Sequence, residues 1–280
     1  MRLRISVACS PAKEVGGDFY DFFLLDDDHL GLVIADVSGK DIPAALFMMA
    51  AKNLIKTHAM IGGKPSEVLQ RVNNEVCKTN ANDMFVTAWL GILTISSGKI
   101  IAANAGHEYP VLRHQNGNVE LFKDKHDLVI GGMEGVRYRD YERTLEEGDT
   151  LFVYADGVPE ATNGELSMFG TDRMLQALNS KPDVALQELL GNVSKYIAAF
   201  VGEAEAKVVL SVKGELLTLN IEDNGRAYDP TAKEDPDVTL GAEDREIGGL
   251  GIFMVKKFAQ DDDYKRVGDR NILKITLKLS

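Results

Sequence analysis

The sequence predicts an α+β fold in which strands and helices are grouped, rather than a doubly wound sheet. Short apolar runs rich in β-branched residues recur along the whole 280-residue chain. Residues 84 to 115 hold consecutive strand patterns with no helical pattern between them, so those strands must pair antiparallel. Helical patterns occur in blocks between such groups. Segregated strands and helices are typical of α+β layers.

Each element follows from the period of its apolar residues and from the turn residues around it. Eight runs predict strands, at residues 4–9, 30–37, 87–95, 99–106, 149–157, 207–213, 216–225 and 272–279. Five segments predict helices, at residues 43–60, 65–78, 171–180, 183–200 and 251–258. Residues 228–246 are polar with two prolines and predict a mobile loop or lid.

Composition excludes several classes of function. The net charge of -12 disfavours binding to nucleic acid, because such binding depends on neutralising phosphates. The two cysteines, Cys9 and Cys77, lie far apart without a Cys/His cluster, so neither a disulfide framework nor a zinc site is predicted. The sequence lacks a run of about 18 apolar residues and a signal-peptide pattern. We therefore expect a cytoplasmic protein without a membrane partner.

Three acidic residues follow or adjoin apolar strands and are surrounded by small residues: Asp18 in "GGDFYDF", Asp36 in "LVIADVSG" and Asp156 in "LFVYADGVPEATN". Small neighbours let an ion or ligand come close to the backbone, and carboxylates gathered at one sheet edge repel unless a cation neutralises them. Two hard divalent cations at such a site could activate water for attack on a phosphoryl group. The alternative is that these acids cap helices or form Asx turns.

Five ordered blocks resemble bacterial metal-dependent Ser/Thr protein phosphatases of the PPM superfamily, in its SpoIIE-like branch. The blocks are "VGGDFYDFF", "ADVSGKDIPAALFM", "MFVTAWLGIL", "NAGHEYPVL" and "LFVYADGVPEATN". The resemblance implies an α-β-β-α sandwich over residues 1–203 with a Mn²⁺ or Mg²⁺ two-metal site at one end. It also implies that Asp36 bridges the metals, that the Val37 carbonyl is a ligand, and that Asp18 and Asp156 complete the acids.

The same resemblance implies direct attack by activated water without a covalent enzyme nucleophile. Asp41 stands where the family usually has Gly, so we assign it no role. His107 in "NAGH" could serve as a general acid, but a structural histidine that bonds a neighbouring loop is at least as good an interpretation.

The C-terminal part resembles the GHKL ATPases, specifically the anti-sigma-factor serine kinases. "LNIEDNGRAYDP" resembles the strand with a DxG box, in which Asp223 would bind adenine and Gly225 would let the base approach. "IGGLGIFMVKKF" resembles the glycine box, in which Gly249 and Gly251 would offer N–H groups to phosphate. The resemblance implies a partial GHKL-like α/β sandwich over residues 204–280.

Two pieces expected from these resemblances are missing at the junction between them. The phosphatase's last strand would bring a further Asp, and the ATPase domain would open with a helix carrying Glu and Asn that hold Mg²⁺. The segment "EAKVVLSVK" could replace the first piece, with Glu205 near the lost Asp, or could belong to the ATPase-like sheet. We therefore expect an internal deletion or an omitted segment, an incomplete two-metal site, and poor ATP or ADP binding.

The leading hypothesis is a phosphoserine/phosphothreonine protein phosphatase. By resemblance, its substrate is a phosphorylated anti-sigma-factor antagonist in a partner-switching pathway. The alternatives are a catalytically impaired interaction module and a nucleotide-binding protein similar to anti-sigma factors, whereas serine kinase activity is disfavoured. Helix contacts through residues 43–60 could support switching or a homodimer, although apolar residues there are more often core.

Overall fold

A five-stranded antiparallel sheet occupies the centre of the N-terminal part of the chain in this computed structural model. Apolar residues alternate between its faces, as the buried positions of the second strand show. The spatial order is β1-β2-β3-β4-β7. The strands are β1 (Phe19–Leu24), β2 (His29–Val37), β3 (Val86–Thr94), β4 (Lys99–Ala105) and β7 (Tyr141–Thr144).

A second, three-stranded antiparallel sheet packs against the first. Its order is β6-β5-β8, from β5 (Val111–Arg113), β6 (Val119–Leu121) and β8 (Thr150–Phe152). The apolar core between the sheets includes Trp89 and Ile100 from the first sheet and Leu112 from the second. All three side chains are almost completely buried.

Helices cover the outer faces of both sheets. Helices α1 (Asp41–Ile61) and α2 (Pro65–Thr79) contact the five-stranded sheet, and a core that includes Ile55, Leu69 and Val72 lies between them. Helix α3 (Gly170–Asn179) contacts β6 of the second sheet. The layers therefore run helix, sheet, sheet, helix, which confirms the predicted sandwich.

The C-terminal part forms its own four-stranded antiparallel sheet in the order β11-β12-β10-β9. Its strands are β9 (Ala206–Lys213), β10 (Leu216–Asp223), β11 (Ala259–Val267) and β12 (Arg270–Lys278), and helix α5 (Leu250–Phe258) precedes β11. Helix α4 (Leu186–Val201) comes before β9. On the basis of contacts, one unit comprises Met1–Ala161 and Met168–Ile197, and the other comprises Thr162–Ser167 and Ala198–Ser280.

The structure describes residues 3–9, 16–39, 41–79, 84–123, 126–181, 184–202, 206–232 and 250–278. Within these residues no helix is both long and apolar enough to span a membrane.

All five predicted helices are present, and six of the eight predicted strands match closely. The strand predicted at 4–9 is wrong, because residues 3–9 have no regular structure. Of the strand predicted at 149–157, only the three residues of β8 form a strand, and residues 153–155 have no regular structure. Strands β1, β5, β6, β7 and β11 were not predicted. Most of the predicted lid, residues 233–246, lies outside the described residues.

Candidate metal site

Two strands and one loop bring the three predicted acids together. Antiparallel pairing of β1 with β2 sets Phe19 opposite Ala35, which brings Asp18, just before β1, beside Asp36 near the end of β2. Asp156 follows β8 in the second sheet. One carboxylate oxygen from each residue lies within 4.8 Å of the others. The three predicted acids therefore come together, although they are delivered by two sheets and not by one sheet edge.

Electrostatics at this cluster favour an added positive charge. Partial burial, together with the hydrogen bond to Asp18 and the negative charges of Asp18 and Asp156, raises the pKa of Asp36 to about 7. None of the three acids forms an ion pair with a basic side chain in the described part of the chain. Carboxylates this close either share protons or bind a cation.

Gly17 lets the chain pass very close to the end of β2. A Cβ atom at Gly17 would lie 2.8 Å from the Val37 carbonyl oxygen and 3.4 Å from a carboxylate oxygen of Asp36. The turn after Val37 is held by Ser38, whose N–H donates to the Phe85 carbonyl at 2.9 Å and whose Oγ accepts the Phe85 N–H at 2.8 Å. The carbonyl and the carboxylates therefore converge in a space that only glycine leaves open.

This donor set fits a hard divalent cation. Three carboxylates and one backbone carbonyl are the oxygen ligands that Mg²⁺ and Mn²⁺ prefer. The acids that the residue pattern and the resemblance singled out, Asp18, Asp36 and Asp156, are the residues that would hold it, with the Val37 carbonyl beside them.

Sequence reasoning missed two further groups next to this cluster. Tyr154 lies two residues before Asp156 and hydrogen-bonds the Glu108 side chain. Burial and the negative charge of Asp156 raise the pKa of Glu108. The signal that could have found them is their position beside "NAGH" and "YADG", one residue after His107 and two before Asp156.

His107 is almost completely buried, with 3 % of its surface exposed. Burial lowers its pKa to about 4, while the Tyr154 backbone and the charge of Asp18 act in the opposite direction. Its ring is therefore neutral near pH 7. A buried neutral ring suits the structural interpretation of this histidine better than the general-acid one.

The DxG turn of the C-terminal unit is closed by the protein's own groups. Asp223 Oδ1 accepts the Gly225 N–H and an Asn271 Nδ2 hydrogen, each at 2.8 Å. Asn271 is buried, also donates to the Arg226 carbonyl at 2.8 Å, and accepts from Tyr264 and Arg266 through Oδ1. The resemblance assigns Asp223 to adenine binding. One of its two carboxylate oxygens already accepts two hydrogen bonds from the protein itself.

The remaining predicted residues are only partly described. Gly251 is the second residue of α5, at the helix start where phosphate binding was predicted. Gly249 and Glu205 lie outside the described residues. Asp41 opens α1.

Comparison with known families gives two matches that overlap at the junction. The family Stage II sporulation protein E (SpoIIE) matches residues 26–207. The histidine kinase-like ATPase domain matches residues 175–277. The overlap contains α4 and the second half of α3.

Individual relatives agree with these matches. The chain is 30% identical over 224 residues to Protein IcfG of Synechocystis sp., covering 68% of this chain and 35% of that protein. It is 33% identical to the phosphoserine phosphatase RsbU of Bacillus subtilis, covering 56% of this chain and 47% of RsbU. The chain thus spans half or less of the length of these relatives. The SiaA PP2C domain of Pseudomonas aeruginosa shares the fold, with a TM-score of 0.58, 24% identity, and coverage of 68% of this chain and 76% of that one.

The ATPase match begins upstream of the junction, which does not support the expected absence of a helix with Glu and Asn. Helix α4 carries Glu188 and Asn192, one helical turn apart, before β9. Glu188 forms an exposed ion pair with Lys181 at 3.3 Å. Asn192 is buried, and its Nδ2 has no hydrogen-bond partner within the described residues. The Glu-x-x-x-Asn spacing of Glu188 and Asn192 is visible in the sequence and lies before the junction, not after it.

The SpoIIE match covers nearly two thirds of the chain and includes Asp36, Val37 and Asp156 of the acidic site. The layered fold agrees with it, as does the histidine kinase-like match at the C-terminus. This chain belongs to the SpoIIE family.

Proposed function

We propose that this chain is a metal-dependent phosphatase that removes phosphate from serine or threonine of a regulatory protein. The observation that carries the proposal is the convergence of Asp18, Asp36 and Asp156 within 4.8 Å. Without a cation the cluster costs stability, because burial and the neighbouring carboxylates raise the pKa of Asp36 to about 7. The related phosphoserine phosphatase RsbU supports serine or threonine phosphate as the substrate.

The side chains have separate tasks in this reaction. Asp36, partly buried at the end of β2, would hold Mn²⁺ or Mg²⁺ together with Asp18 and Asp156. Bound cations of this kind lower the pKa of water and stabilise negative charge on a phosphoryl group. Gly157, with open space where a Cβ would stand, leaves room for the phosphate next to Asp156.

His107 does not supply the proton to the leaving group in this proposal. It is buried and its pKa is about 4, so it carries no proton to give near pH 7.

We further propose that the substrate is a phosphorylated anti-sigma-factor antagonist in a partner-switching pathway. The support is the family together with the histidine kinase-like match on the same chain, since kinase and phosphatase relatives would act on one protein in opposite directions. The experiment below decides which of the two cations, Mn²⁺ or Mg²⁺, supports the activity.

The experiment measures hydrolysis of a phosphoserine peptide by the full chain with Mn²⁺, with Mg²⁺ and with chelator. We expect activity only with metal, and a loss of at least about 100-fold in Asp36→Asn, because a missing ligand costs more than the 10- to 100-fold typical of a missing outer partner. Asp27→Asn is the matched control, since Asp27 is exposed in the β1–β2 turn. Metal-independent hydrolysis, or full activity of Asp36→Asn, would contradict the proposal.

A further inference from the structure

His107 lies at the end of the tight turn that follows β4. The Asn104 side chain closes this turn, since its Oδ1 accepts the His107 N–H at 2.7 Å and its Nδ2 donates to the His107 carbonyl at 2.9 Å. Gly106 forms a parallel bridge with Ala88 of β3 and has φ +73, which favours glycine. The backbone around the ring is therefore fixed against β3.

On one side the His107 ring supports the strand that carries Asp36. Its Nδ1 lies 3.0 Å from Thr87 Oγ1. Thr87 is the register partner of Asp36 across β2 and β3, and its Oγ1 lies 3.5 Å from the Asp36 carbonyl oxygen. The contact thus runs from the ring through one hydroxyl to the backbone of a predicted metal ligand.

On the other side the same turn adjoins the segment that carries Asp156. The Tyr154 backbone is close enough to act on the charge of the ring, but Nε2 makes no hydrogen bond of standard geometry within the described residues. Glu108, the residue after His107, is hydrogen-bonded by the Tyr154 side chain. Residues 107 and 108 therefore contact both segments that deliver the acids.

We propose that His107 is a positioning residue that sets the distance between Asp36 and Asp156 before any cation binds. It acts on Asp36 through Thr87, and on Asp156 through the Tyr154 segment. Because the three carboxylates repel one another, their convergence needs a rigid frame, and groups behind metal ligands commonly supply it. The inference rests on the proposed function for its biological meaning, and on the fold alone for its geometry.

Two substitutions separate the role of the ring nitrogens from that of its bulk. His107→Phe keeps a buried ring and removes both nitrogens, whereas His107→Asn keeps a polar group near the position of Nδ1 and loses volume. Thr87→Val removes the hydroxyl between the ring and Asp36 at nearly unchanged volume. His29→Phe is the matched control, because His29, the first residue of β2 in the same unit, has 41% of its side chain exposed.

The first readout is the Mn²⁺ dissociation constant measured by calorimetry on the full chain, with the melting temperature recorded for each variant. We expect His107→Phe and Thr87→Val to weaken Mn²⁺ binding about 10-fold or more, as outer partners of metal ligands do. His107→Asn should bind within about 3-fold of the unmodified chain despite a lower melting temperature, and His29→Phe should be unchanged. Metal affinity that follows melting temperature across the set instead would overturn the proposal, since it would show a packing role only.

The second readout needs no metal or activity. Hydrogen exchange of metal-free protein should be faster in residues 33–39 and 152–157 for His107→Phe than for His29→Phe, and faster only in residues 33–39 for Thr87→Val. Unchanged exchange in both segments would overturn the positioning role. A chain that binds Mn²⁺ with this pattern yet hydrolyses no phosphoserine would refute the proposed function and leave the positioning role standing. A chain that binds neither Mn²⁺ nor Mg²⁺ would also refute the function, and exchange alone would then decide the role of His107.

Discussion

Asp36 and Asp223 have the same sequence pattern and opposite surroundings. Each comes near the end of an apolar strand and is followed by a small-residue turn. Asp36 faces the carboxylates of Asp18 and Asp156, whereas Asp223 accepts hydrogen bonds from Gly225 and Asn271. Within the described residues the first acid has no basic partner, whereas one carboxylate oxygen of the second already accepts two hydrogen bonds from the protein. A strand that ends in Asp therefore indicates either a ligand site or a closed turn, and distant residues decide which.

The largest effect should come from breaking the network that satisfies Asp223. Asn271→Ala removes the donor to Asp223 and to the Arg226 carbonyl and the acceptor for Tyr264 and Arg266. Because a buried group left without partners costs about 1–3 kcal/mol, we expect a loss of about 3 kcal/mol in the stability of the C-terminal sheet. Hydrogen exchange of β10 and β12 measures it. Asp269→Ala, in the β11–β12 turn, is the control, and equal protection in both variants would mean that the turn does not depend on Asn271.

The next effect concerns the pH dependence of stability that His107, behind Asp36, should produce. Because the pKa of His107 is about 4 in the folded protein and near 6.5 when unfolded, the unfolded chain takes up a proton first as the pH falls. The stability from this residue is full above pH 6.5 and is lost as the pH falls towards 4, by about 2 kcal/mol between pH 7 and pH 5.

Urea unfolding of metal-free protein at pH 7 and pH 5 tests this sign. The measured quantity is the difference in this loss between the unmodified chain and His107→Gln. Between pH 7 and pH 5, the free energy of unfolding of the unmodified chain should fall by about 2 kcal/mol more than that of His107→Gln. An equal loss of stability in both proteins would show that His107 is not held neutral. The control, His29→Gln, should behave like the unmodified chain.

The helices and the acidic cluster could be predicted from sequence because their signals are local. Apolar spacing in 65–78 and 183–200 is enough to predict α2 and α4. Strand β11 could not be predicted, because "AQDDDYKRV" is polar and becomes a strand only through its pairing with β12. Residues 4–9 show the reverse case, since a strand pattern without a partner strand in the described structure does not form a strand.

Within the site, sequence reasoning found the candidate ligands and missed the residues that hold them in place. Asp18, Asp36 and Asp156 stand in recognisable motifs. The Thr87 contact behind Asp36 depends on the register of β2 against β3, which no local pattern specifies. The closure of the Asp223 turn by Asn271, 48 residues away, is equally non-local.

A third prediction concerns the close approach of Gly17 to the Val37 carbonyl beside Asp36. Gly17→Ala would place a Cβ 2.8 Å from the Val37 carbonyl oxygen, a backbone atom that cannot move aside as a side chain can. We expect the shift to weaken Mn²⁺ binding about 10-fold, comparable to the loss of an outer partner of a metal ligand. Calorimetry with Gly164→Ala as control, where no atom lies within 4 Å, tests the expectation. Unchanged affinity would mean that Val37 takes no part in binding.

The smallest effect is the most direct test of the comparison, because it has opposite signs in the two regions. In metal-free protein above pH 7, Asp36→Asn removes a carboxylate that its neighbours repel, so it should raise stability by about 1 kcal/mol after allowance for solvent screening. Asp223→Asn keeps an acceptor for Gly225 and Asn271 but weakens both bonds by removing the charge, so it should lower stability by about 1 kcal/mol. Thermal unfolding with chelator measures both. Added Mn²⁺ should then stabilise the unmodified chain and Asp223→Asn, and leave Asp36→Asn nearly unchanged, because only ligands that bind the folded state shift unfolding. If both substitutions destabilised the metal-free protein, the acids around Asp36 would be satisfied as Asp223 is, and the need for a cation would fall away.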